Sequence, residues 1–346
     1  MKTNYILNTI FAFLLLSLSA CNDLTLGPEP ANNPETNFEQ LWQQYDRLYG
    51  LFGAKKVDWP AVYQKYRPKV TNGMSDDAFY TLTTQVLDEL NDGHVWLLAP
   101  GSPARRHDSG PDYQKGDFNL KLVRTTYLQE VREFSLAGDV QLVSGTLPGN
   151  IGYIHFRDFG QSRSFYEKAF EEALSALRDT KALIVDIRDH EGGDDRVSQY
   201  VAGRFASTRN LFMTSRLRNG PGHGDFTEPT EWYVAPTGSW QYTKPVALLT
   251  NRITESAGET FTLAMNQNAS VTQIGDTTYG IFSEITRREL PNGWIFSVSV
   301  GDYRAADGKS YEGIGIAPEI TVVNTPADIV AGKDKVLEKA LAVLGQ

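Results

Sequence analysis

Beyond residue 150 the chain alternates between short apolar strands and helical stretches, and this alternation constrains its fold more than any other feature. Ile151-Gly152-Tyr153-Ile154-His155-Phe156 reads as a strand, a helix follows over about residues 163–178, and Ala182-Leu183-Ile184-Val185-Asp186 is a second, almost wholly apolar strand. The unit recurs: Val246-Ala247-Leu248-Leu249-Thr250 feeds a helix that begins at Ser256, and a strand follows from Val271 to Ile274. A strand without polar alternation must be covered on both faces, and parallel neighbours need a helical crossover between them. The expected class is therefore α/β, a mostly parallel sheet covered by helices.

The N-terminal part has a different rhythm. Phe38, Leu41, Trp42, Tyr45, Leu48, Tyr49 and Phe52 fall three and four apart, one face of a helix. A second helix is expected from Asp58-Trp59-Pro60, with Asp58 as cap and Pro60 in the first turn, and a third after the cap Ser75. After Asn91-Asp92-Gly93 the pattern becomes alternating. Asn119-Leu120-Lys121-Leu122-Val123 and Val140-Gln141-Leu142-Val143 read as strands, residues 283–304 as a hairpin turning at Pro291-Asn292-Gly293, and Lys333 to Leu344 as a terminal helix.

The first twenty residues have the layout of a secretion signal: Lys2, an apolar stretch from Ile10 to Leu18, then small residues. The apolar run is too short for a comfortable membrane span. It ends Leu18-Ser19-Ala20-Cys21, similar to the lipobox of bacterial lipoproteins, with the single cysteine of the chain at the position that is lipidated. A plain cleaved signal is the alternative, but a free thiol would be a liability in an oxidising compartment. Residues 22–36 then read as a tether. One cysteine excludes an intrachain disulfide, a cysteine-based zinc finger and an iron–sulfur cluster. A net charge of −9 argues against nucleic acid as a partner. The five histidines form no His-x-x-x-His or His-Glu-x-x-His pattern, so no metal is expected.

Three loops carry residues unsuited to a core. Arg188-Asp189-His190-Glu191-Gly192-Gly193-Asp194 follows a buried strand, where open α/β sheets place their sites, and its glycines would let backbone amides face a ligand. A tight turn explains the same residues. Thr254-Glu255-Ser256-Ala257-Gly258-Glu259 opens a helix, so Ser256 could be a nucleophile beside free amides; Ser256-x-x-Glu259 is equally a capping box. Leu90-Asn91-Asp92-Gly93-His94 ends a helix, with Gly93 as a C-cap and His94 either a general base or a capping histidine. His155 reads as structural or surface, and His107 and His223 have no partner at useful spacing.

Taken together, four segments resemble the tail-specific (C-terminal-processing) serine peptidases, in their tricorn-like branch. They are Gly152-Tyr153-Ile154, Asp186-Ile187-Arg188 with Gly192-Gly193, Thr254 to Glu259, and Glu312-Gly313-Ile314-Gly315-Ile316-Ala317-Pro318-Glu319. Asp58-Trp59 and Tyr66-Arg67-Pro68 are similar to the helical unit preceding that core. The resemblance implies a ClpP/crotonase-like core of ββα units and cofactor-free peptide hydrolysis. It implies Ser256 as nucleophile, Ala257, Gly192 and Gly193 as oxyanion donors, His94 as base and Glu312 as its support. The family's alternative lysine base has no counterpart, since Ile281 stands at that position. Gly93 replaces the serine that would relay between glutamate and histidine, and His190 replaces the usual asparagine of its turn, which makes it a rival base.

The expected organisation is a lipoprotein signal (1–20), a tether (21–36), a helical unit (37–93), a β-rich connection too short for a PDZ domain (94–147) and the peptidase core (148–346). The expected function is an envelope-anchored serine endopeptidase acting on peptides or unfolded proteins, attached to the membrane only through its lipid. The sequence sets no oligomeric state. An inactive peptide-binding lipoprotein on the same fold is the alternative, and an acyl-CoA enzyme is disfavoured by the export signal.

Overall fold

Helix caps set the start of the described chain. The computed structural model describes residues 30–113 and 115–345, so the signal and Cys21 lie outside the described residues. Asn33, Asp58 and Ser75 each accept a backbone N–H from the first turn of the helix they precede. The helices are α1 (Pro34–Leu48), α2 (Phe52–Lys55), α3 (Trp59–Tyr66) and α4 (Asp76–Asp88). Their inner faces bury Phe38, Leu41, Tyr45, Trp59, Phe79 and Val86. Trp42 and Trp59 stack, and each indole N–H reaches the other's carbonyl, at 3.3 and 3.0 Å.

This helical unit shares its core with a four-stranded sheet. β1 (Trp96–Ala99) and β2 (Arg105–Asp108) pair with a distant hairpin, β11 (Ile285–Glu289) and β12 (Ile295–Ser299), in the order β11-β12-β1-β2. Leu290, Trp294, Phe296 and Val298 from the hairpin complete the helical core. The Tyr45 hydroxyl donates to the Ser297 carbonyl at 2.6 Å, and Gly50 N–H donates to Ser299 O at 2.8 Å.

The apolar strands form the centre of a seven-stranded sheet, ordered β14-β10-β9-β6-β5-β4-β3. Its members are β3 (Gln129–Leu136), β4 (Asp139–Leu147), β5 (Ile151–Phe156), β6 (Ala182–Asp186), β9 (Val246–Thr250), β10 (Val271–Gly275) and β14 (Ile320–Thr321). From β5 to β14 all pairs are parallel, and β3 and β4 add antiparallel at one edge. One face is covered by α5 (Arg163–Ala176), α6 (Asp195–Ala202) and α7 (Ala257–Met265), the other by α8 (Lys335–Leu344). Strands β7 (Asn210–Leu217), β8 (Thr230–Val234) and β13 (Gly301–Ala305) form a third sheet. Among the described residues no helix is long and apolar enough to cross a membrane.

Two local expectations are corrected. Leu120–Tyr127 is helical rather than a strand: Asn119 Oδ1 accepts from Leu122 N–H at 3.1 Å and starts a turn that the alternation concealed. At the end of α4 the left-handed residue is Asn91 (φ 44), not Gly93. Asn tolerates that conformation, and Gly93 serves close packing instead.

Candidate active site

Strands β6 and β9 are parallel neighbours whose ends lie level, with Asp186 opposite Leu249, so the loops that follow them open side by side. That is where such sheets place their ligands. The loops are stitched together: Thr254 Oγ1 donates to Ile187 O at 2.8 Å and Glu255 N–H to His190 O at 3.0 Å. Arg188 anchors the first loop from below, paired with Asp186 and, through both guanidinium nitrogens, with Asp334, the cap of α8.

Ser256 stands at the N-terminus of α7 with φ 53 and ψ −118, a backbone state that is costly for a residue with a Cβ, by about 1–3 kcal/mol. Such strain survives only where the surroundings over-determine it. Here Ser256 N–H donates to Glu259 Oε2 at 3.2 Å, half of the expected capping box, while Glu259 N–H goes to the Ser256 carbonyl. The Ser256 hydroxyl lies 3.1 Å from His94 Nε2. Glu259 also accepts from Thr278 Oγ1 at 2.6 Å and from the N–H groups of Gly280 and Ile281, tying the helix that Ser256 opens to the loop that carries Ile281. Burial pushes Glu259 up to about 8, with Glu312 adding to it and the Thr278, Ile281 and Gly280 donors opposing.

The Gly192-Gly193 turn is packed against the same serine. A Cβ at Gly192 (φ +86) would meet Ser256 Cβ at 2.8 Å, and one at Gly193 (φ +130) would meet the Phe159 carbonyl carbon at 2.4 Å. The N–H groups of Gly193 and Ala257 have no acceptor among the described residues. Gly192 differs from expectation: its N–H donates to His190 Nδ1 at 3.1 Å. His190 is fully buried, edge-on to Phe156 and Phe159, and burial lowers its pKa to about 3, so it is a neutral acceptor holding the turn. It makes no hydrogen bond to Ser256.

His94 arrives from the turn after α4. Asp92 is buried beneath it: Oδ1 accepts from His94 N–H at 2.8 Å, and Oδ2 accepts from the hydroxyls of Tyr49 and Ser299 at 2.9 and 2.7 Å. The Ser297 hydroxyl donates to the His94 carbonyl. Burial holds His94 below the ordinary histidine value; Asp92 opposes that and Lys55 adds to it. Its Nδ1 is buried without a partner. Glu312, the expected support, is not hydrogen-bonded to His94. Its Oε1 pairs with Lys55 at 2.7 Å and its Oε2 accepts from Phe282 N–H at 2.7 Å. Burial first, then Asp92, pushes Glu312 up to about 7, with Lys55 opposing.

A cavity of about 660 Å³ opens over Ser256 and His94, bounded by Trp96, Gly193, Glu255 and Ile281. A second, of about 620 Å³, lies against it and shares Arg106, Glu191 and Glu255.

Of the residues singled out from sequence, Ser256, His94, Gly192, Gly193 and Ala257 converge, and Glu312 approaches only through Lys55. His155 is buried, its Nε2 2.9 Å from Asp189 Oδ1 and its ring stacked on Phe118. His107 and His223 pair with Asp88 and Asp46. Sequence reasoning missed Asp92, Lys55 and Tyr279. Asp92 carried a usable signal, a carboxylate two residues before the candidate base; Lys55 carried none. No cluster of three metal-ligating side chains occurs among the described residues.

Comparison with known proteins identifies the family and the fold. The sequence profile of peptidase family S41 matches residues 150–322, half of the chain, and that of the tricorn protease C1 domain matches residues 30–88. The carboxy-terminal processing protease CtpA of Bacillus subtilis is 23% identical over 91% of this chain and 75% of its own length. The tricorn protease of Thermoplasma acidophilum is 24% identical over 70% of this chain, but only 21% of that protein is covered. Among solved structures, a proposed peptidase from Parabacteroides merdae superposes with a TM-score of 0.78 at 29% identity, covering 91% of this chain and 97% of that one. Mature CPAF bound to lactacystin shares the fold, with a TM-score of 0.67 at 10% identity over 90% of this chain and 97% of that one. With a helical unit like that of tricorn proteases in front of its α/β core, the chain belongs to peptidase family S41 and is a serine peptidase.

Proposed function

We propose that the protein is an endopeptidase in which Ser256 is the nucleophile and His94 the general base, working through an acyl-enzyme on peptides or unfolded protein segments. The observation that carries this reading is the 3.1 Å approach of His94 Nε2 to Ser256 Oγ at a helix N-terminus with two free amides beside it. His94 takes the hydroxyl proton as Oγ attacks the scissile carbonyl. The N–H groups of Ala257 and Gly193 are the candidate donors to the oxyanion, each worth a few kcal/mol in comparable enzymes. The imidazolium returns its proton to the leaving amine, the C–N bond breaks, and an ester remains on Ser256. Water then gives a proton to His94, attacks the ester and releases the new carboxylate, while the proton returns to Ser256.

Neutrality of His94 suits this role, because burial and Lys55 keep its proton affinity low and leave it free to accept. The fixed His190–Gly192 bond supports a subsidiary role for His190 in shaping the turn. The lipobox-like Leu18-Ser19-Ala20-Cys21 supports an envelope location with Cys21 lipidated. The test is cleavage of casein by the mature chain from Cys21 onward, beside Ser256→Ala. Cleavage by the first and a loss of about a thousandfold or more in the second is expected; equal cleavage by both overturns the assignment.

A further inference from the structure

Lys55 ends α2, a helix of one turn in the N-terminal unit, yet its ammonium reaches the core. It pairs with Glu312 Oε1 at 2.7 Å and donates to the Asn91 carbonyl at 2.7 Å. The two side chains are 9% and 1% exposed, so neither charge could be left unpaired cheaply. Asn91 is the left-handed residue of the turn that carries Asp92 and His94. Lys55 therefore bridges three segments far apart in sequence: the N-terminal unit, the His94 turn and the C-terminal loop. It does not line the cavity over Ser256.

We propose that Lys55 is a positioning residue for hydrolysis, clamping the Glu312 carboxylate to the Asn91 carbonyl and so fixing the turn that delivers His94 to Ser256. This inference rests on the reading of Ser256 and His94 given above. Three observations carry it. Glu312 makes no bond to His94, so its influence on the base has to pass through its partners. The Gly93 backbone is walled by Tyr279, whose ring atoms would lie 2.7 Å from a Cβ, so no side chain can relay there. The turn is held instead from behind, by Lys55 on its carbonyl and Asp92 on the His94 N–H.

The clamp is also electrostatic. The charged and titratable groups gathered at this turn are Lys55, Asp92, Tyr49 on Asp92, and Glu312 on Lys55; Tyr279 packs on Gly93, and the cavity in front of His94 is lined by Glu191, Asp194, Asp195, Glu255 and Glu284 together with Arg106, Arg196 and Arg287. Lys55 makes protonation of His94 harder and Asp92 makes it easier. Removing the ammonium leaves Asp92 to act on the imidazole unopposed, so His94 holds its proton to higher pH.

The experiment compares kcat, KM and the pH profile of kcat/KM for wild type, Lys55→Met, Lys55→Arg, Glu312→Gln and the double variant Lys55→Met/Glu312→Gln, each with an unfolding midpoint. We expect Lys55→Met to lower kcat by about tenfold or more, part of what a general base supplies, with KM little changed and the acid limb moved to higher pH. Lys55→Arg, which keeps the charge, restores the acid limb. In the Glu312→Gln background the Lys55→Met loss shrinks, because partners of one network are not additive. If Lys55→Met is too unstable to assay, the double variant, which leaves no charge unpaired, carries the pH comparison. An unmoved acid limb, or a Lys55→Met loss of the same size in both backgrounds, overturns the proposal. Ser256→Ala separates the two readings: if it is inactive while Lys55→Met is unperturbed, only the clamp fails, and if it is active the site itself is wrong.

Discussion

Gly93 occupies the position at which the resemblance implies a serine between glutamate and histidine. Here a Cβ would lie 2.7–2.9 Å from Cε1, Cζ and the hydroxyl oxygen of Tyr279, and the Gly93 backbone in turn crowds Gly110, whose own Cβ would meet it at 2.5 Å. Tyr279 is fixed by a 2.7 Å bond from its hydroxyl to Pro111 O and by its N–H on Thr254 O. Installing the serine should therefore damage the site rather than repair it. Gly93→Ser is expected to lower stability by about 1–3 kcal/mol, as overpacking does, and to lower activity with it. A urea midpoint beside a casein assay checks this, and a variant of wild-type stability and higher activity would mean that the tyrosine wall yields. The sequence showed that the relay was missing but not why, because Tyr279 lies 186 positions away and meets Gly93 only in three dimensions.

At the scale of elements, the turn after β6 shows how one substitution changes the chemistry of a loop without changing its shape. His190 fills the place of an asparagine usual in the resembled family, and its Nδ1 accepts the Gly192 N–H while its ring is buried against Phe156 and Phe159. Its pKa is lowered to about 3 by burial, with His155 adding to that. An unfolded histidine titrates near 6.5. Above pH 6.5 both states are neutral and the turn costs nothing extra. As pH falls from about 6.5 towards 3, the unfolded chain takes up a proton that the folded turn refuses, so stability is lost across that window at up to about 1.4 kcal/mol per pH unit. His190→Asn should flatten that loss. Unfolding midpoints of both proteins at several pH values between 7 and 4 measure it, and parallel curves would show that His190 protonates in the folded state. The loop's position was legible from the apolar strand Ala182–Asp186 and the glycine pair, since both follow from local pattern. The role of its histidine was not, because the sequence left it as a second candidate base and only the fold shows which atom it accepts from.

Across the whole molecule, the helical unit and the α/β core were readable separately, and their joint was not. Strands, crossover helices and caps are local, and Asp58, Ser75 and the Pro291-Asn292-Gly293 hairpin stand where pattern placed them. The joint is made by residues about 170 to 250 positions apart. Tyr45 bonds Ser297 and Asp92 takes Ser299, while Leu290, Trp294, Phe296 and Val298 sink into the helical core. Ser256 thus comes from the core, while His94, its proposed base, sits on a turn held by Lys55, Tyr49 and Asp92. Burying those four hairpin side chains stabilises the joint by of the order of 6–12 kcal/mol, comparable with the whole stability of an ordinary domain. A chain starting at His94 should therefore not behave as a smaller enzyme. It exposes Trp294 and Phe296, strips His94 of the carboxylate below its N–H, and leaves Glu312 buried without its cation. The expected product is aggregated, or soluble with a broad thermal transition, strong binding of a hydrophobic dye and no casein cleavage. Supplying residues 30–93 as a separate polypeptide should restore cleavage only if the two parts dock through this core. A truncated chain that melts cooperatively and cleaves casein at the full rate would show that the catalytic geometry is carried by the core alone, and that the helical unit is an attachment rather than half of the site.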